Sequence, residues 1–210
     1  MIVRIINLLV ILMIYPGFGE NDQDRYFNYI RYLYENDEKL NRTLLIEETD
    51  RYLLKHPNSK CEDRLFLYQG ESYLGQADTL KAISKYLKLI MLHYDSELRA
   101  EAINRIDSLL FRTSSITLKE VSCQIRDVIA ERPAVIDYQD AYFNYISCLN
   151  DLKCINTPSE MELEVRNYFS IFNAAKRYGD ILYYWLGHKY ESADSVQSAF
   201  STYQKLIHMF

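Results

Sequence analysis

Asp63–Leu74 reads DRLFLYQGESYL, Gly75–Asp78 reads GQAD, and Lys81–Ile90 reads KAISKYLKLI. On both sides of the polar break, apolar residues return every three or four positions, the spacing of one face of an amphipathic helix. Asp63–Ser96 therefore predicts two helices joined by a turn at Gly75–Asp78. Phe66, Gly70 and Tyr73 stand on the first helix, and Ala82, Tyr86 and Leu89 on the second. Gly70 and Ala82 let two backbones approach, and the tyrosines fill the wider gaps beside them. Ala82→Leu is expected to overpack that contact at a cost of about 1–3 kcal/mol.

The same order returns near the C-terminus as Tyr183, Gly187, Tyr190, Ala199, Tyr203 and Leu206. At one offset of 117 residues, three times 39, Ser84 also meets Ser201, Lys88 meets Lys205 and Ile90 meets Ile207. A second offset of 37 residues places Ile46 on Ile83, His56 on His93 and Ser59 on Ser96. A terminator repeated at repeat spacing is stronger evidence than either copy alone. Ser59 with Glu62, Thr117 with Glu120, and Thr157-Pro158-Ser159-Glu160 all read as capping boxes that start helices. Pro57 and Pro133 read as helix stops. Helical pairs follow at 23–58, 59–95, 96–133, 136–177 and 179–210; the third and fourth depart furthest from the pattern.

Aromatic-x3-Gly-x2-Tyr-x8-Ala-x3-Tyr-x2-Leu resembles the tetratricopeptide repeat signature. The endings His56-Pro57-Asn58-Ser59 and Leu89-Ile90-x3-Tyr94-Asp95-Ser96 resemble the exported bacterial branch of that superfamily. This branch includes the repeat lipoprotein of the outer-membrane β-barrel assembly machine and the periplasmic coordinator of the Tol–Pal system. The resemblance implies an all-α, right-handed α-solenoid of about five helix-turn-helix pairs. It also implies a binding scaffold without catalytic residues. The chain departs from the first relative in lacking a lipobox cysteine, and from the second in lacking an N-terminal heptad region.

Residues 1–19 read as a cleavable signal peptide: Arg4, an apolar run over Ile5–Tyr15, and small residues at Gly17 and Gly19 before Glu20. The expected destination is exported and periplasmic, with an uncleaved N-terminal anchor as the alternative. Oxidising conditions there permit disulfides, and Cys148 with Cys154 is the first pair to consider, against four reduced thiols. The net charge of −5 gives no basic field for nucleic acid. Neither cysteine nor histidine spacing suggests a metal, and no cofactor motif appears. His56 and His93 read as cations at helix C-termini. Glu47-Glu48 and Glu160-x-Glu162-x-Glu164 read as solvated carboxylate faces.

No catalytic constellation stands out. In a tetratricopeptide array the first helix of each pair lines a concave groove. Leu67, Glu71 and Leu74, with Tyr184 and His188 as their counterparts, are then the candidate contacts for a protein or peptide partner. Tyr183-Tyr184-Trp185 supplies the aromatic anchors. Reversing the charge of Glu71, or truncating Tyr184 to Ala, is expected to weaken partner capture without unfolding. A glycan- or envelope-binding adaptor is a second reading, since tyrosine faces stack on sugars. The repeat domain of a longer protein, active beyond Phe210, is a third.

Overall fold

The computed structural model describes residues 22–36, 39–112, 118–131, 137–172 and 177–210. The signal-peptide segment, Thr117 and Pro133 lie outside them. Ten helices and no strand occur among the described residues. They are α1 (Asp22–Glu35), α2 (Lys39–Lys55), α3 (Glu62–Gly75), α4 (Thr79–Leu92) and α5 (Arg99–Arg112), then α6 (Leu118–Ala130), α7 (Tyr138–Asp151), α8 (Pro158–Phe172), α9 (Gly179–Ser192) and α10 (Val196–Met209). The expected all-α class is observed.

Two compact units divide the chain between Lys85 and Tyr86, within α4. In the first, Ile30, Leu33, Leu45, Tyr52 and Leu65 form the core. Tyr34 of α1 stacks on Tyr68 of α3 at 4.0 Å between centroids. Asp50 of α2 accepts from Gln69 Nε2 of α3 at 2.7 Å and pairs with Lys85 Nζ of α4 at 3.6 Å. Helices two apart in the chain are thus in contact. The second unit repeats the arrangement: Lys88 of α4 pairs with Glu131 just beyond α6, and Arg99 of α5 with Asp151 of α7. Met161, Val165, Tyr168, Leu182 and Ala199 are buried within it.

The sequence offsets recur bond by bond in the backbone. After α3, Asp78 N–H donates to Tyr73 O and Ala77 N–H to Leu74 O, both at 2.9 Å. After α9, Ser195 N–H donates to Tyr190 O at 2.9 Å and Asp194 N–H to Glu191 O at 3.0 Å. This is the Schellman closure, which satisfies the last helical carbonyls. It puts Ala77 (φ 59°) and Asp194 (φ 53°) in the left-handed region. Lys153 (φ 55°) closes α7 in the same way. The 37-residue offset is carried likewise: Glu62 N–H to Ser59 O and Arg99 N–H to Ser96 O are both 3.1 Å.

The expected capping box of Ser59 with Glu62 does not form. Ser59 stands two residues before the N-cap, Cys61. Its hydroxyl accepts from the backbone N–H of Cys61 at 3.4 Å, as Ser96 Oγ does from Leu98 at 3.1 Å. Buried Ser59 also meets Gln23 Nε2 and Tyr52 OH, each at 3.0 Å. It therefore joins α1, α2 and α3 instead of capping one helix. The box at Thr157 does form: Glu160 N–H donates to Thr157 Oγ1 at 3.3 Å, and Thr157 N–H to Glu160 Oε2 at 2.9 Å.

Cys148 and Cys154 are free thiols. Cys148 is buried in α7, and burial pushes its thiol up. Cys154 lies past the turn, with its sulfur directed to the Leu152 carbonyl at 3.8 Å.

Candidate functional site

The sequence-derived contacts fall in separate units. Leu67 on α3 is buried, 7% exposed, so it is a packing residue and not a contact on an open face. A one-step error round the helix explains the difference, since α3 buries a broad face that includes Leu65, Phe66, Gln69 and Gly70 as well. Glu71 and Leu74 are half-buried. Tyr184 and His188 on α9 are exposed, Tyr184 at 53%. The Ser192 hydroxyl donates to the His188 carbonyl at 2.9 Å, one turn on.

Trp185 belongs to a different face of α9, and it leads to a strip of aromatic and arginine side chains within the second unit. Phe143 of α7 lies nearly parallel to Trp185, with centroids 5.5 Å apart and planes at 13°. It lies still closer to Tyr178, at 4.0 Å and 11°. Tyr94, before α5, tilts toward Phe143 at 6.0 Å. Arg99 covers Tyr94 at 4.7 Å, and Arg177 covers Tyr178 at 5.1 Å.

Both arginines are held in place. Arg99 Nη2 contacts Asp151 Oδ2 at 2.7 Å, and Arg177 Nη2 contacts Asp140 Oδ1 at 2.9 Å. Asp140 also accepts from the Tyr178 hydroxyl at 2.8 Å. Burial, then Asp140, pushes the Tyr178 phenol above its ordinary value. Phe143 is buried, Trp185 and Tyr178 are half-buried, and Tyr94 is 41% exposed. The strip therefore has a fixed floor and an accessible edge. Sequence reasoning found Trp185 and missed Tyr94, Arg99, Phe143 and Tyr178. The available signal was that Tyr94-x4-Arg99 and Arg177-Tyr178 both stand at helix starts, where side chains from two elements meet.

The tyrosine hydroxyls tie neighbouring helices together. Tyr26 donates to Glu48 at 2.8 Å, Tyr142 and Tyr145 to Glu164 at 3.3 and 3.2 Å, Tyr190 to Glu162 at 3.0 Å, and Tyr203 to Glu191 at 3.0 Å. Each bond joins one helix to the next. The glutamates at 160, 162 and 164 are accordingly not one solvated face. Glu160 caps α8, Glu162 turns to α9, and Glu164 turns to α7. A cleft of about 290 Å³ beside Glu162, Arg166, Tyr190 and Lys205 is partly closed on itself, because Glu162 already accepts from Arg166 and Tyr190.

Among the described residues no cluster of His, Cys, Asp and Glu could hold a metal ion. No helix among them is long and apolar enough to cross a membrane. Compared with family models, curated proteins and solved structures, the chain finds no match.

Proposed function

We propose that the chain is a non-catalytic, exported helical-repeat scaffold of the tetratricopeptide kind, which holds a peptide segment of a partner protein along the first helices of its pairs. The observation that carries this reading is the strip Arg99–Tyr94–Phe143–Tyr178–Trp185. Trp, Tyr and Arg are the side chains that dominate protein interfaces. Here they are held by stacking and ion pairs, so little side-chain freedom is lost on binding. The strip draws on α7 and α9, the first helices of the fourth and fifth pairs, and on the entry to α5. Contacts between helices two apart, and the turns repeated at both offsets, support a stacked array. A solenoid of this kind presents first-helix residues on its concave side; on α3 of the first unit, Glu71 and Leu74 are the half-buried candidates for such contacts. The leader-like residues 1–19 support export to the cell envelope.

Trp185 is the chain's only tryptophan, so its emission reports on the strip directly. Titration with a library of unstructured peptides rich in apolar and aromatic residues should give a saturable shift for some members. Tyr94→Ala should weaken those members by about tenfold or more and leave the circular dichroism unchanged. If no member moves the emission, or Tyr94→Ala binds as the parent does, the strip is not the site.

A further inference from the structure

We propose that the exposed face of α10 is the two-fold interface of a homodimer, in which the α10 helices of two copies pack antiparallel. Val196, Phe200 and Ile207 on this face are 74, 62 and 76% exposed. With Tyr203 they are spaced four, three and four residues apart, which forms one apolar seam. Their equivalents at the 117-residue offset have the opposite environment. Ile83, Tyr86 and Ile90 on α4 correspond to Phe200, Tyr203 and Ile207, and all three are fully buried. The α10 seam is therefore core surface by descent, and core surface of this size on a folded chain marks an interaction site.

Two properties favour a second copy as the occupant. First, a 4-3-4 spacing reads the same in both directions. An antiparallel two-fold axis between Phe200 and Tyr203 sets Val196 against Ile207 of the other copy, and Phe200 against its Tyr203. This is the self-complementarity that an isologous interface requires. The seam positions and their flank, Gln197 and Gln204, are uncharged, so no like charges meet across the axis.

Second, the area is of the right order. Tyr184 of α9 lies 6.5 Å from Tyr203 between centroids and, with Ile181, widens the patch. An aromatic side chain buries about 150–250 Å² in full. These five exposed side chains then offer on the order of 500 Å², against about 800 Å² per partner in a standard interface. Gln197, Gln204 and His208, all exposed, supply a polar rim.

The test is sedimentation velocity of the purified chain over roughly a hundredfold range of concentration, beside Phe200→Asp, Val196→Glu, Ile207→Lys and the combined Val196→Glu/Ile207→Lys. The parent should sediment at twice the chain mass, and Phe200→Asp at the chain mass with an unchanged thermal melt. Each single charge should weaken association by about tenfold. The combined variant should recover most of that loss, because only the antiparallel register sets 196 against 207. A parent that stays monomeric overturns the proposal and assigns the face to another occupant. So does a Phe200→Asp dimer, or a combined variant weaker than either single one. Peptide binding at Trp185 is read separately, so either idea can fail alone.

Discussion

A β-carbon added at Gly187 would run into the Tyr203 ring, so ring and helix cannot both stay in place. Gly187→Ala should cost about 1–3 kcal/mol by this overpacking, measured by urea denaturation. Combined with Tyr203→Leu, which removes the ring, the two costs should fall well short of their sum. Ala77 presents the reverse case, a non-glycine residue at φ 59°. Ala77→Gly should raise stability by a few tenths to about 1 kcal/mol, because the left-handed strain on Cβ exceeds the added chain entropy; a lower urea midpoint would contradict that account. Gly187 was legible in the sequence because a steric need for absence leaves few choices: it falls where its spacing put it, under the Tyr203 ring. Leu67 was not. One apolar residue beside others does not reveal how broad a face its helix buries.

Helices and turns were readable wherever the signal is local. Thr157-Pro158-Ser159-Glu160 starts α8 as written, and Gln76–Asp78 separates α3, which runs on through Gly75, from α4. Ser59 was misread because the same serine offers its oxygen either to a helix start or to side chains of other helices. Burial beside Tyr52 and Gln23 favoured the second. What the sequence could not show is where tyrosine hydroxyls go, since that depends on which glutamate the neighbouring helix brings near. Glu164 is the clearest instance, with two tyrosines of α7 on one carboxylate. Glu164→Leu should cost about 1–3 kcal/mol, the penalty for taking the acceptor from the half-buried Tyr142 hydroxyl while Tyr145 keeps only Arg126. Glu164→Gln should cost less, because the amide oxygen still accepts. Equal melting temperatures for the two variants would show that the tie contributes nothing. Thr157→Ala tests the cap and should lose about 1 kcal/mol. Backbone donors at Thr157 and Asn156 hold the Glu160 carboxyl below its ordinary value. Its contribution is therefore present above the unfolded pKa and fades as pH falls through the folded one.

At the scale of the whole molecule, the tyrosine ties give the fold an alkaline limit. Tyr26 and Tyr142 are raised well above the ordinary phenol, first by burial, with Glu48 and Glu164 adding to it. Burial also raises Tyr68, Tyr73, Tyr145, Tyr168, Tyr190 and Tyr203. These residues occur in both compact units. A phenol whose folded pKa lies above its unfolded value near about 10 keeps its proton in the native state after the unfolded chain has lost it. Above that pH the native state binds more protons, so stability falls as pH rises. The contribution is complete below about pH 10 and disappears as pH climbs through the folded values. Repulsion adds to the effect, because the tyrosinates of Tyr26, Tyr142, Tyr145, Tyr190 and Tyr203 form beside a glutamate in a chain already carrying a net charge of −5. Urea midpoints should therefore stay level through neutral pH and drop steeply from about pH 10 upward. Tyrosinate absorbance near the unfolding midpoint should rise together with the loss of helical signal. In Tyr26→Phe/Tyr142→Phe, two of the most strongly raised phenols are gone, and the alkaline slope should be shallower whatever happens to stability at neutral pH. An unchanged slope in that variant would assign the alkaline limit to net charge alone.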